Sequence, residues 1–94
     1  MLVKFSPRFL TQLQIIVDFI AKDSFAKACS FQQTLFSEFK KLDFMPYKFR
    51  KSIYFDDENI RDFIFKGYVV PYFVDMQGKI ILILAICKEN LLKD

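Results

Sequence analysis

Hydrophobic positions recur at helical spacing through the first half of the chain. A short apolar segment at residues 2–5 predicts a first strand. Ser6 and Pro7 then form a helix-start signal, because a serine side chain accepts hydrogen bonds from free helix amides and proline is tolerated at the first helical position. We predict a helix over residues 7–22, whose apolar face comprises Leu10, Leu13, Val17 and Ile20.

A second helix is predicted directly after the first. Asp23 and Ser24 break the pattern, and Ser24 can cap a helix over residues 25–42. Two helices of this length joined by so short a turn form an antiparallel hairpin. The stripe expected to face a sheet comprises Ala28, Phe31, Leu35, Phe39 and Leu42, and a shorter apolar line beside it comprises Phe25, Cys29 and Phe36.

The second half of the chain contains a segment, residues 61–87, that is typical of three short strands joined by tight turns. The turns are expected at Lys66-Gly67 and Gln77-Gly78, where a reversal needs a residue that tolerates positive φ. The last predicted strand, residues 79–87, is apolar at every position from 80 to 87, although a strand with one solvent-facing side should alternate. We therefore expect both of its faces to be covered, one by the helices and the other by a partner.

Together these elements predict an α+β fold: an N-terminal strand, an antiparallel two-helix hairpin and a C-terminal antiparallel three-stranded meander. Residues 47–59 are expected to form a loop with an extended segment at residues 52–55. With 94 residues, the chain is predicted to form a single domain over residues 1–94. Its longest apolar run is much shorter than the roughly 20 residues of a membrane span, so we expect a cytoplasmic protein that does not enter membranes.

The composition narrows the chemistry that the chain can perform. Histidine is absent, which removes the commonest general base, the usual zinc ligand and every Ser/His or Cys/His nucleophile pair. Metal-ligand clusters and glycine-rich phosphate loops are not recognisable in the sequence, so no metal or cofactor is expected. Cys29 and Cys87 are predicted to be buried free thiols. Hydrophobic residues make up 53% of the chain, and part of this surface is expected to stay exposed until a partner binds.

Positive charge is concentrated in one stretch of a chain whose net charge is +3. Between residues 40 and 51, Asp43 is the only acidic residue among five cations: Lys40, Lys41, Lys48, Arg50 and Lys51. The stretch is either a solvated helix end and loop or a site for an acidic partner or phosphate. Tyrosines that could stack on a base are Tyr54, Tyr68 and Tyr72.

The order of elements, with Pro46, Arg50, Arg61, Tyr68 and Tyr72 at their spacings, resembles the RelE/ParE superfamily of type II toxin–antitoxin toxins over nearly the whole chain. Residues 61–87 are similar to the family's Arg-led strand, Gly-Tyr turn, tyrosine within the next strand and final apolar strand. The resemblance implies a bacterial cytoplasmic toxin that is neutralised by an antitoxin encoded beside it, in a heterotetramer or larger assembly.

The two branches of this superfamily have different targets. The resemblance implies either mRNA cleavage on the ribosome, as in RelE, or inhibition of DNA gyrase, as in ParE. The ribonucleases typically carry arginine directly after the turn tyrosine, a basic pair after the last strand and, in many, histidine at the end of that strand. These positions hold Val69, Lys88-Glu89 and Cys87 here. Together with the long hairpin, they favour a non-enzymatic, gyrase-directed toxin; the alternatives are an mRNA interferase and a degenerate non-toxic binding module.

Two sets of candidate site residues follow from these alternatives. For an interferase, the groups available for proton transfer and phosphate stabilisation are Arg61, Lys66, Tyr68 and Lys88. For binding of a target or an antitoxin, the candidates are Arg50, Lys51, Arg61, Tyr72, Ile81 and Ile83. The isolated chain is expected to be poorly soluble until an antitoxin segment covers its apolar surface.

Overall fold

Two helices pack against one face of a five-stranded sheet in the computed structural model, which describes residues 1–89. The helices are α1 (Pro7–Asp23) and α2 (Phe25–Lys41). The strands are β1 (Leu2–Phe5), β2 (Ile60–Phe65), β3 (Tyr68–Asp75), β4 (Ile80–Ile83) and β5 (Cys87–Lys88). The α+β class, the N-terminal strand and the helical hairpin are confirmed, and each helix ends within one residue of its predicted position.

Serine side chains begin both helices, as the sequence predicts. The Oγ of Ser6 accepts a hydrogen bond from the Phe9 amide at 3.1 Å. The Oγ of Ser24 accepts one from the Lys27 amide at 3.2 Å, while the Ser24 amide donates to the Ile20 carbonyl at 2.9 Å. Ser24 therefore ends α1 and begins α2, which forces the two helices into an antiparallel pair.

The core lies between the helical hairpin and the sheet. The predicted stripe of α2 is buried, with every member at most 6% exposed: Ala28, Phe31, Leu35, Phe39 and Leu42. On α1 the buried residues are Phe9 and Leu13, whereas Leu10 is 50% exposed. The prediction for Leu10 is wrong because the stripe that includes Leu13 begins one residue earlier, at Phe9.

Aromatic rings fill the part of the core where β1 meets the two helices. All six pairs formed by Phe5, Phe9, Phe36 and Phe39 have ring centroids 5.1–6.4 Å apart. Aromatic pairs at these separations stabilise a core beyond the area that they bury. Some of the many phenylalanines therefore pack against one another inside the chain.

The sheet has the strand order β1-β4-β3-β2. Strands β2, β3 and β4 are antiparallel neighbours, as the predicted meander requires, but β1 pairs in parallel with β4 and makes the sheet mixed. Ile81 and Ile83 face the helices and are 0% exposed, whereas Ile80 and Leu82 point to the opposite side and are half-buried. Strand β4 is therefore apolar on both faces, and the coverage of its second face by a partner stays a prediction.

The predicted last strand is wrong as one continuous element. Both β4 and β5 pair with β3: Ile83 of β4 lies opposite Tyr72, and Cys87 of β5 lies opposite Val69. The three residues between them, 84–86, therefore lie opposite only residues 70 and 71 of β3. One extra residue is accommodated in this way, as in a β-bulge. Pro71 lies opposite the break and has no amide hydrogen to donate, although its carbonyl accepts from the Leu84 amide at 2.9 Å.

The two glycines serve different turns for different reasons. Lys66 and Gly67 have φ values of +49° and +83°, as in the type I′ turns that join adjacent strands. For Gly78 the predicted positive φ is wrong, because Lys79 adopts it instead, at +55°. The Gly78 amide donates to Asp75 Oδ1 at 2.9 Å, and a Cβ on residue 78 would lie 2.5 Å from Asp75 Oδ2. Any side chain at residue 78 would therefore displace the Asp75 carboxylate from this hydrogen bond.

The connection between α2 and β2 runs beside β2 without forming a strand. Lys51 makes an isolated bridge to Arg61, and the Ser52 amide donates to the Ile60 carbonyl at 2.7 Å. Residues 53–56 then bend away. The predicted extended segment at residues 52–55 is therefore wrong, since regular pairing ends where it was expected to begin.

Candidate functional site

The charged residues singled out in the sequence lie at opposite ends of the β2–β3 hairpin. The pairing Phe65↔Tyr68 marks the turn end, and Arg61↔Tyr72 lies near the other end. Arg61 and Phe65 are four residue steps apart along the strand, which corresponds to about 13 Å. The two groups therefore have to be considered as separate sites.

The turn end brings together three of the four interferase candidates. Tyr68 pairs with Lys88, and the Lys88 Nζ lies 5.2 Å from the centroid of the Tyr68 ring. The Nζ of Lys66 lies 5.5 Å from the centroid of the Phe65 ring. Each amine thus contacts an aromatic face, as in cation–π pairs. Arg61 is not part of this group.

Arg61 holds the loop that precedes β2. Its Nε donates to the Glu58 carbonyl at 3.1 Å, and its Nη1 donates to the Phe49 carbonyl at 3.2 Å. The guanidinium carbon lies 4.9 Å from the centroid of the Tyr47 ring. Arg61 is half-buried by these contacts, and its main role in the structure is to fix the course of the loop.

Arg50 and Lys51 lie beside Arg61, so the structure places the three predicted binding cations on one part of the molecule. The Arg50 Nη2 is 3.4 Å from Oδ2 of Asp62, whose side chain is completely buried. The same oxygen accepts a hydrogen bond from the Ile53 amide at 3.2 Å. Lys51 makes a longer, exposed ion pair of 3.7 Å with Asp56. Because the side chains of Arg50 and Lys51 remain 44% and 45% exposed, both are available to a partner.

Tyr72, Ile81 and Ile83 do not form a contact surface, and their prediction as binding residues is corrected by the structure. All three are 0% exposed and face the helices. The Tyr72 hydroxyl donates to the Pro46 carbonyl at 2.7 Å. Burial raises the pKa of Tyr72 well above its ordinary value, an effect that Arg61 partly offsets. Tyr72 is therefore a core residue that also anchors the preceding loop.

An apolar groove, which we call the α1 groove, lies between α1 and the turn end of the sheet. Its volume is about 330 Å³, and its lining is almost entirely apolar. Ile15 and Phe19 form its wall on α1 and are 66% and 72% exposed. Gln12 lies between the helix and the sheet, where its Oε1 accepts a hydrogen bond from the Ile86 amide at 2.9 Å. The remaining lining residues are Ile16, Tyr68, Cys87 and Lys88.

The residues of α1 that form this groove were not predicted from the sequence. The signal was present, because Ile15, Ile16 and Phe19 extend the apolar surface of the helix beyond the stripe that faces the sheet. Exposed apolar patches that line a concave surface are typical of protein-binding sites. The α1 groove is therefore the best-formed candidate for a protein contact.

The two cysteines differ in environment, and both are free thiols. The prediction of a buried thiol is wrong for Cys29, which is exposed on α2. Cys87 is half-buried at the α1 groove, and burial raises the pKa of its thiol, while the positive charge of Arg8 partly offsets the effect. The raised pKa disfavours the thiolate that nucleophilic chemistry requires.

The described residues, 1–89, hold neither a metal-ligand cluster nor a helix that could span a membrane. No group of three His, Cys, Asp or Glu side chains in this part of the chain is placed to hold a metal ion. Neither α1 nor α2 combines the length and the apolar character that a helix needs to cross a membrane.

Comparisons with known proteins point to one family. Residues 3–90 match the family described as "ParE toxin of type II toxin-antitoxin system, parDE". Among solved structures, a chain titled "Chromosomal ParDE TA system from P. aeruginosa" superposes with a TM-score of 0.75 at 22% sequence identity, over 94% of this chain and 95% of that chain. No curated protein matches the sequence significantly. At this level of identity the structural likeness supports the fold, and the family match covers nearly the whole chain.

Proposed function

Because this chain belongs to the ParE toxin family of type II toxin–antitoxin systems, we propose that it inhibits DNA gyrase by occupying a protein surface and that an antitoxin neutralises it through the α1 groove. Inhibition by binding requires apolar and charged contact residues and no group that transfers a proton. Messenger RNA cleavage would require a base, an acid and cations around one phosphate.

The observation that carries the proposal is the separation of the charged side chains. Arg61 lies about 13 Å along β2 from the turn end that holds Lys66 and Lys88, and its guanidinium donates to two backbone carbonyls. Val69, which follows the turn tyrosine, is 0% exposed. This arrangement supports a binding function over an interferase, because Arg61 is held apart from the three candidate groups at the turn end.

The α1 groove is the surface that we assign to the antitoxin. Ile15 and Phe19 are mostly exposed, and burying each of them would contribute about 1–2 kcal/mol. Lys88 lines the groove, and the charge of Arg8 acts on the neighbouring Cys87. A matching antitoxin segment is therefore amphipathic, with apolar side chains that fill the groove and acidic side chains beside them.

The proposed complex is cytoplasmic, where gyrase acts, and contains toxin and antitoxin as a heterotetramer or a larger assembly. Light scattering on the co-purified proteins would give the stoichiometry. The toxin chain alone should be poorly soluble, because the α1 groove and the second face of β4 are both apolar. A stable monomer that binds little apolar dye would contradict this expectation.

Gyrase inhibition is tested directly with the purified chain, relaxed plasmid, gyrase and ATP. We expect the chain to prevent supercoiling while mRNA on translating ribosomes stays intact. Codon-positioned mRNA cuts that disappear in Lys88→Ala, with gyrase unaffected, would replace the proposal with the interferase. Inactivity in both assays would favour a degenerate binding module.

The antitoxin site is tested with the small protein encoded next to the toxin gene. Phe19→Ala should weaken its binding by about tenfold, since a central aromatic contact is typically worth more than 1 kcal/mol. Phe25→Ala is the matched control, because Phe25 is 75% exposed at the start of α2 and does not line the groove. Equal affinities for the two variants would exclude the α1 groove as the antitoxin site.

A further inference from the structure

The connection after α2 carries a second exposed surface, away from the α1 groove. We name residues 40–51, which are the last two residues of α2 and the first ten of the connection, the cationic loop. Phe44 and Met45 protrude from it with 90% and 62% of their surface exposed, two and three residues after Leu42, which is only 2% exposed. The chain is thus fixed in the core at one residue and presents two large apolar side chains to solvent immediately afterwards.

Hydrogen bonds from the sheet fix the shape of the cationic loop. Tyr72 donates to the Pro46 carbonyl at 2.7 Å, and Arg61 donates to the Phe49 carbonyl at 3.2 Å. The Tyr47 hydroxyl also donates to the Asn59 side chain at 2.7 Å. An exposed aromatic residue on a well-anchored segment loses little conformational entropy when it binds a partner. The exposure of Phe44 and Met45 therefore resembles that of a preformed contact surface.

Lysines precede and follow these apolar side chains in the sequence. The carboxylate of Asp43, the only acidic group of the cationic loop, contacts the N-terminal ammonium of Met1. Within residues 1–89, neither Lys40 nor Lys48 forms an ion pair with a carboxylate. The field around Phe44 is therefore positive and is only partly neutralised by the chain itself.

We propose that the cationic loop binds an acidic protein surface on the target of the toxin, with Phe44 inserted into an apolar pocket of that surface. The identification of the target as gyrase rests on the proposed function, whereas the chemistry of the contact follows from the loop. An aromatic side chain at the centre of a charged rim is typical of the residues that dominate protein interfaces. A surface for nucleic acid would use the lysines but would leave the aliphatic Met45 without a partner, so a protein is the better match.

Two variants separate the apolar and the electrostatic parts of this contact. Phe44→Ala removes the central side chain, and the double variant Lys40→Glu/Lys48→Glu reverses the charge around it. The matched controls are Phe25→Ala, on another exposed phenylalanine, and Lys27→Glu, on an exposed lysine at the start of α2. All of these side chains are exposed, so circular dichroism and the thermal midpoint should show that each variant folds like the parent chain.

The readouts are inhibition of supercoiling and arrest of growth when the chain is expressed without an antitoxin. We expect Phe44→Ala and the double variant to need at least about tenfold more protein for half-inhibition and to lose growth arrest, with the controls within about twofold of the parent. The double variant should also show a weaker dependence on salt, because exposed charges are screened over roughly 8 Å at physiological ionic strength.

The outcomes distinguish this inference from the proposed function. If the loop variants remain as inhibitory and as toxic as the parent chain, the cationic loop does not bind the target, even though the target is gyrase. If the parent chain arrests growth without inhibiting gyrase, and the loop variants abolish the arrest, then gyrase is not the target. The cationic loop is still supported as the surface that binds the target. Binding of the parent chain to bare duplex DNA that is lost in the loop variants would overturn the protein contact in favour of nucleic acid.

Discussion

Replacing Tyr72 with phenylalanine tests whether this residue anchors the cationic loop or contacts a partner. The change keeps a ring that is 0% exposed and removes the hydroxyl that donates to the Pro46 carbonyl at 2.7 Å. A neutral hydrogen bond of this kind contributes about 1 kcal/mol net. At pH 7 the free energy of unfolding of Tyr72→Phe should therefore be about 1 kcal/mol lower, with a thermal midpoint lower by about 4–8 °C.

The pH dependence of stability gives a second, independent value for the contribution of Tyr72 to the free energy of unfolding. Burial raises the pKa of Tyr72 above its ordinary value, which is about 10. Above pH 10 the unfolded chain loses the tyrosine proton while the folded chain keeps it, so the stability of the parent falls as the pH rises. For one proton this loss is about 1 kcal/mol between pH 10 and pH 11 and about 1.4 kcal/mol in total by pH 11. Tyr72→Phe lacks this loss, so the two chains should be about equally stable at pH 11.

Urea unfolding, followed by circular dichroism at several pH values between 7 and 11, measures both effects. Every other titrating group is present in both chains, so the difference between them isolates Tyr72. A difference that does not change with pH, or no loss at pH 7, would refute the argument that the buried hydroxyl anchors the loop. Unchanged stability together with weaker antitoxin or gyrase binding would restore the prediction that Tyr72 contacts a partner.

Two further predictions concern the thiols and the core. Iodoacetamide at pH 8 should modify Cys29 before Cys87, because Cys29 is exposed and burial raises the pKa of the Cys87 thiol; peptide mass spectrometry that finds Cys87 modified first would contradict this. Leu35→Ala should lower the free energy of unfolding by about 2–5 kcal/mol, because Leu35 is 0% exposed. The neighbouring residue Thr34 is exposed and provides the control, since Thr34→Ala should change stability by at most about 0.5 kcal/mol. If urea unfolding showed the same loss of stability for Leu35→Ala and Thr34→Ala, α2 would not pack as described.

Local patterns were sufficient to predict the helices and the turn at Gly67. Capping serines, apolar stripes and a glycine that adopts positive φ all act within a few residues of the chain. The parallel pairing of β1 with β4 depends instead on contacts between residues 2–5 and 80–83. The bulge at residues 84–86 likewise depends on Pro71 lying opposite, which is known only once the strands are in register.

The residue types of the candidate site could be predicted from the sequence, but most of their positions and contacts could not. The charge pattern identified the cationic loop, but it did not distinguish Arg50, which keeps part of its surface free, from Arg61, which is used to hold the backbone. The contact between Tyr72 and the Pro46 carbonyl spans 26 residues. A backbone carbonyl carries no side-chain signal, so such partners cannot be found by reading residue types. The α1 groove was missed because it forms only where α1 meets β5.

The antitoxin and target surfaces are proposed at opposite ends of one continuous hairpin, and this constrains how neutralisation works. The α1 groove adjoins the turn at Tyr68, whereas the cationic loop is attached through Tyr72 and Arg61. The full length of β2, from Ile60 to Phe65, corresponds to about 17 Å. An antitoxin segment confined to the groove would therefore leave Phe44 exposed. To cover the target surface directly, the antitoxin must continue beyond the groove by about five residues of extended chain; an antitoxin that ends at the groove would have to act by another route, such as blocking the approach of the larger target.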